Sequence, residues 1–172
     1  MKKILSICAA VVGISFSANA QKFCYVDVEY ILGKMPEYAN AQKKLDKVSQ
    51  DYQKEVDAQR KAVEDMYKSF QSEQVLMTDQ MKQLKIAAID SADKQVKDLQ
   101  RTHFGPNGDL FKKRQEFVKP IQDKLYNEIQ KFAQNKGYDF VFDKSSGPSM
   151  LYASEKFNKS SEVLGNMGLG GK

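Results

Sequence analysis

The 172-residue sequence has no Trp, four Pro, two Cys and a single His. Two Cys and one His cannot supply the four ligands of a structural zinc site built from those residues. A disulfide framework is excluded for the same want of partners. Long apolar runs are equally scarce. The longest, Ile4 to Phe16, has 13 residues, too few to cross a bilayer as a helix. Mean hydropathy is −0.58, low for a chain of this length, and the composition is that of a molecule with much surface and little core. The length allows one domain or two small ones.

The apolar run near the N-terminus has a different use. Lys2 and Lys3 precede it, and Ala18-Asn19-Ala20 follows with small residues at the −3 and −1 positions of a signal peptidase site. Residues 1–20 therefore read as a bacterial secretory signal peptide cleaved after Ala20. A lipoprotein signal does not fit, because Ile7 and Phe23 stand before the two cysteines. Removing 20 of 172 residues leaves 152, and the loss of two lysines lowers the formal charge from +5 to +3. The expected destination is the periplasm or beyond, where ATP is absent.

Lys22-Phe23-Cys24-Tyr25-Val26-Asp27-Val28 alternates and is β-branched and aromatic, which predicts a strand with Cys24, Val26 and Val28 on one face. A short helical turn over Glu29–Leu32 follows. Pro36 suits the first turn of a helix, where its missing N–H costs nothing. From there to Val75 there is neither Gly nor further Pro. Tyr38, Ala41, Leu45, Val48, Tyr52, Val56, Val63, Met66 and Phe70 recur at steps of three and four, with Gln59 in the one gap. This is a heptad stripe with one stutter. A helix of about 40 residues is roughly 60 Å long.

The stripe falters at 74–78. Thr78 followed by Asp79 is an N-cap with an acid in the first turn, so the tip of a hairpin belongs at 74–78 and a returning helix at 79–103. Its expected inward residues are Met81, Leu84, Ala88, Val96 and Leu99, with Ile86 and Ile89 off the stripe. Gly105-Pro106-Asn107-Gly108 breaks the helix. A further helix runs from Asp109 to Asn135 with Pro120 inside it, and Gly137 caps its end. Residues 138–143 and 150–153 read as two strands of a hairpin around the Lys144–Pro148 turn, and 160–164 as a short closing helix. The organisation is then a β body from 21–35 and 137–172, and a helical hairpin over 36–136 with its tip at 74–78 and a break at 105–108. Three short strands make a poor independent core, and a hairpin with a thin seam buries little. Pooling the sheets of several copies solves both problems, so an oligomer is expected. A paired coiled coil using the whole seam is the competing architecture.

With those elements placed, the sequence resembles the Skp/OmpH family of periplasmic chaperones over essentially its whole mature length. The resemblance is carried by Phe23–Leu32 with Pro36-Glu37-Tyr38 at one end. At the other it rests on Pro120-Ile121, Gly137–Asp143 and Leu151-Tyr152-Ala153. Asn158-Lys159-Ser160 departs from the family's Asp-Ile-Thr cap before the last helix. The Gly105–Gly108 break interrupts a helix that is more continuous in some relatives. The resemblance implies a mainly α fold with a small β body and a jellyfish-like homotrimer with helical tentacles around a cavity. It implies ATP-independent binding of unfolded outer-membrane β-barrel proteins, with no cofactor. Adaptable Met and aromatic contacts suit reversible shielding of a nascent barrel. A coiled-coil scaffold or adaptor of the cell envelope is the second reading.

Individual residues carry two readings each. Met66, Tyr67, Phe70, Met77 and Met81 near the tip are either contacts to a client or packing within the hairpin; Tyr67 lies off the stripe and is the better client contact. The charge excess sits in 109–136, notably at Lys112, Lys113, Arg114 and Lys119. This is either a field for acidic clients and anionic lipid or lipopolysaccharide headgroups, or a solvated helix face. Nucleic acid is not an expected partner, for no basic-aromatic motif is present. Val26, Val28, Val141 and Leu151 are the expected trimer contacts of the body. Cys24 reads as a small buried hydrophobe and His103 as a loop-packing residue, since no nucleophile or acid can be set beside it from sequence. The Gly-rich tail lacks the strand, Ser/Thr and helix of a phosphate loop. Asp90-Ser91-Ala92 resembles a short O-glycosylation motif of some anaerobic Gram-negative bacteria. No constellation supports an enzyme.

Overall fold

The structure is a computed structural model that describes residues 21–147 and 150–170. The expected signal peptide, 1–20, lies outside the described residues. The chain divides into two compact units, one from Leu32–Leu125 and the other from the segments on either side.

In the flanking unit, β1 (Phe23–Val26) pairs with β2 (Phe140–Asp143) in parallel, with Cys24 opposite Val141 and Tyr25 opposite Phe142. The expected β-hairpin over 138–153 is not formed. Residues 150–153 make no strand, and β2 finds its partner more than a hundred residues upstream. Met150–Ala153 is a continuous apolar run without alternation, and such a run does not by itself specify a strand. The other edge of β1 is taken by Asn158, which bridges to Tyr25, while the Lys159 N–H donates to the Tyr25 carbonyl at 2.9 Å.

The first strand is also shorter than its alternation suggests. Asp27 ends it by capping α1 (Val28–Lys34): its Oδ1 accepts from the Tyr30 N–H at 2.8 Å. Val28 therefore starts a helix, which runs through Gly33 to Lys34. Cys24, Tyr25 and Val26 are all buried, so both faces of β1 are covered. Around them Ile31, Phe132, Val163 and Leu164 complete a small core. The closing helix α5 (Ser160–Asn166) has no side-chain cap from Lys159. Asn158 Oδ1 instead accepts from the backbone N–H and the hydroxyl of Ser160, and Ser160 Oγ accepts from the Asp27 N–H at 2.8 Å.

The helices fall where the sequence places them, although the central unit ends at Leu125, before the end of the third long helix. Helix α2 (Pro36–Glu73) has 38 residues and starts with Pro in its first turn. A 3-10 turn over Gln74–Leu76 forms the tip. Helix α3 (Asp79–Phe104) is capped by Thr78, whose Oγ1 accepts from the Met81 N–H at 3.3 Å. Helix α4 (Asp109–Lys136) runs through Pro120, and Gly137 follows in the left-handed region at φ 66°.

On α2 the stripe is as expected: Ala41 and Val56 are buried, and Leu45, Val48, Tyr52, Val63 and Phe70 are half-buried. On α3 the expected inward face holds toward the break, at Val96 and Leu99, and fails toward the tip. Ile89, Val96 and His103, seven apart, are buried, with Ala92 and Leu99 half-buried between them. Met81, Leu84 and Ala88 are exposed. Continuing the buried heptad toward the tip reaches Lys85 and Lys82, not apolar residues. The apolar residues there follow a different face from those near the break.

The break depends on its two glycines. A Cβ at Gly108 would lie 2.6 Å from the Thr102 carbonyl oxygen and 2.8 Å from that of His103, and one at Gly105 would overlap the Arg101 carbonyl. Gly108→Ala is expected to lower stability by about 1–3 kcal/mol through backbone strain, measured by thermal unfolding.

Candidate functional site

Two exposed apolar surfaces stand out, one in each unit. The first lies along the distal half of the hairpin. Leu76 is 91% exposed, and Val75, Met81, Leu84, Ile86 and Tyr67 are exposed with it. Its origin is the seam itself. Near Ile89 the two helices share apolar residues, but at Lys85 and Lys82 the seam turns polar. Lys85 reaches Glu73 of α2 at 3.9 Å, and Lys82 reaches Asp79 at 3.7 Å. Met81, Leu84 and Ala88 then line a shallow apolar groove with the stem of Lys85. A second groove holds Val63 and Tyr67 between charged neighbours including Arg60 and Lys68.

Of the expected tip residues, Tyr67 and Met81 are well exposed, Met66 is at the margin, and Phe70 and Met77 are half-buried. Val75, Leu76 and Ile86 are exposed with them without having been expected as contacts, and Leu84, expected to face inward, is exposed too. Their signal was the lysine pair at the heptad positions preceding Ile89, which turns the apolar residues outward.

The second surface lies in the β unit. Phe23, Phe140 and Phe142 are about half exposed, Leu151 is 94% exposed and Tyr152 86%. The Phe140 and Phe142 rings stack with centroids 6.4 Å apart. A cavity of about 530 Å³ opens here, lined by Phe23, Tyr25, Phe142, Met150, Tyr152 and Phe157 among others. Among the described residues, β2 is paired on one edge alone. Of the four expected body contacts, Leu151 lies on this surface and Val141 is half-buried. Val26 and Val28 are consumed by the protomer's own core.

The basic cluster is locally compensated. Lys112 pairs with Asp109 at 3.2 Å, Lys113 with Glu116 at 2.7 Å and Lys119 with Asp123 at 2.8 Å. Arg114 is exposed and has no ion pair among the described residues. Lys124 pairs with Glu37 of α2 at 2.5 Å, and its hydrogen bond holds the Glu37 carboxyl below the usual range. These exposed pairs contribute little each. They make the helix face near-neutral at short range, as a solvated face is.

Cys24 is buried, and burial pushes its thiol pKa up, as for a thiol in an apolar core. Ser91 is exposed within α3. His103 packs at the helix break as expected, but with carboxylate partners that the sequence did not place beside it: Glu55 and Asp109. Among the described residues no group of three or more His, Cys, Asp or Glu could hold a metal ion, and no helix is long and apolar enough to cross a membrane.

A long helical hairpin inserted between two chain ends that meet in a small parallel sheet defines the architectural class. Residues 22–167 match the OmpH family, outer membrane protein (OmpH-like), and the chain belongs to that family. An uncharacterized protein of Aquifex aeolicus (strain VF5) is 29% identical over 164 residues, 95% of this chain and 94% of that one. The crystal structure of an OmpH-like protein from Caulobacter crescentus CB15 matches with a TM-score of 0.68 at 11% identity, covering 88% of this chain and 86% of that chain. At that identity the likeness speaks for the fold.

Proposed function

We propose that this protein is an ATP-independent periplasmic holdase that binds unfolded outer-membrane β-barrel proteins and keeps them from aggregating. The observation that carries the reading is the distal hairpin, whose apolar residues face solvent while its seam turns to lysine. A helix pair built only to hold itself together would bury Met81 and Leu84. Shallow grooves framed by long charged side chains suit weak, exchangeable contact with alternating apolar segments. The Caulobacter relative is described as a candidate outer membrane chaperone, which supports the same reading.

The assembly proposed is a homotrimer joined through the exposed aromatic face of the β unit. A signal peptide over residues 1–20 would direct its export and be removed after Ala20. Anionic lipid or lipopolysaccharide headgroups are weaker candidates as partners, because most of the basic cluster is already paired. Binding would involve no cofactor and no catalytic step.

The test is suppression of aggregation. An unfolded barrel protein diluted from urea should stay soluble with the protein in molar excess. Met81→Ser with Leu84→Ser should weaken the client's dissociation constant by about tenfold or more, since each apolar contact of partly buried area contributes about 1 kcal/mol. A scaffold protein would leave aggregation unslowed, and a dimer or filament with no effect on the client would sink the proposal.

A further inference from the structure

His103 is the only histidine in the chain, so any behaviour of an imidazole belongs to it. It is the penultimate residue of α3 and is 8% exposed. Its ring stacks on Tyr52 of α2 with centroids 4.0 Å apart and planes 4° from parallel, and Phe104 meets it edge-on. Nε2 lies 3.1 Å from Glu55 Oε2, and Nδ1 lies 3.2 Å from Asp109 Oδ2. Glu55 comes from α2 and Asp109 opens α4, so the three side chains bracket the Gly105–Gly108 break.

A neutral imidazole has one N–H and one bare lone pair. Set between two carboxylates, it satisfies one of them and turns its lone pair on the other, with no proton between. Only the imidazolium donates to both. The other charged groups here do not replace it. Lys112 Nζ holds the second oxygen of Asp109 at 3.2 Å, and Lys113, beside Tyr52, is committed to Glu116 at 2.7 Å. Lys112 first, and His103 after it, hold the Asp109 carboxyl below its usual range, so Asp109 remains an anion well into acid. Phe104 brings no charge.

We propose that His103 is a proton-operated latch: as the imidazolium it ties α2 to both sides of the helix break through Glu55 and Asp109, and on losing a proton it releases one carboxylate and loosens the break. The direction follows from which state makes both bonds. The latch is closed on the acid side of the imidazole titration and open on its alkaline side. What it governs is the joint between α3 and α4. The inference is independent of what the hairpin binds.

The test uses the 15N-labelled exported protein, whose imidazole gives a single pair of ring signals. Across a pH series from about 5.5 to about 8.5, the ring should pass from both nitrogens protonated to one alone. Amide exchange over 104–112, normalised at each pH to an unstructured peptide, should be about fivefold faster at the higher pH, as loss of one partly exposed charged hydrogen bond requires. Glu55→Gln should bring that ratio close to one. A wild-type ratio near one, an unchanged ratio in Glu55→Gln, or a singly protonated ring at the lower pH would overturn the latch. If Glu55→Gln fails to fold, the two wild-type measurements still decide.

Discussion

Leu151→Ser combined with Tyr152→Ser should convert the proposed trimer to monomer at micromolar concentration. Both side chains stand almost wholly in solvent in the protomer, at 94% and 86% exposed, so the protomer loses no core when they change. Buried in an assembly, each contributes about 2 kcal/mol, and removing both weakens the attachment of every protomer by about a thousandfold. Mass from light scattering or sedimentation reads the outcome, with circular dichroism to show that the helices persist. An unchanged mass would place the subunit contact elsewhere. Val26→Ser is the informative contrast. Val26 is buried within the protomer, so its loss should unfold the β unit and not merely separate intact chains.

The largest effect on stability is expected from Phe132→Ala. Phe132 is 1% exposed and stacks on Tyr138 with centroids 5.8 Å apart, while Lys22 Nζ lies 4.4 Å above the Tyr138 ring. Removing the ring deletes the largest fully buried side chain of a very small core. The cost is about 3–5 kcal/mol, from lost transfer energy together with the cavity left behind. That is a large part of the total stability of an ordinary domain, about 5–15 kcal/mol. Denaturant unfolding should show the midpoint falling while the helical signal of the central unit is retained. A loss below about 1 kcal/mol would mean that the site collapses around the missing ring.

The features legible in the sequence were those that local chemistry enforces. Pro36, Thr78, the Gly105–Gly108 break and Gly137 each mark a helix end by a constraint within a few residues, and all four stand where the structure has helix ends. The α2 stripe was legible because heptad spacing survives over the whole helix. The inward face of α3 was legible toward the break, at Val96 and Leu99, but not toward the tip. Met81, Leu84 and Ala88 form a stripe of their own, and nothing local says that the partner helix faces Ile89 instead. The third strand failed for a related reason. Met150–Ala153 has strand-forming residues, but pairing is decided by which backbone edge is vacant, and that depends on β1. His103 was placed at the break, yet its contact with Glu55 spans 48 positions and no spacing rule encodes it. The exposed aromatics of β2 were visible as residues, but their exposure depends on the parallel pairing and, among the described residues, on the sheet having two strands.

That pairing also fixes an order of events. Because β1 and β2 run parallel, the segment between them is a crossover that must be complete before either strand has a partner. Phe23 meets Phe140 only after the entire hairpin has been made. A contact of such long range forms late, after the local helical contacts. A chain that emerges N-terminus first thus carries an orphan strand, with Cys24, Tyr25 and Val26 uncovered, until its last forty residues arrive. A chain cut short anywhere before Phe140 could form its helices but could not close its sheet, and so would lack the β2 aromatics through which assembly is proposed. In the proposed assembly the sheet would thus admit only chains that extend through β2.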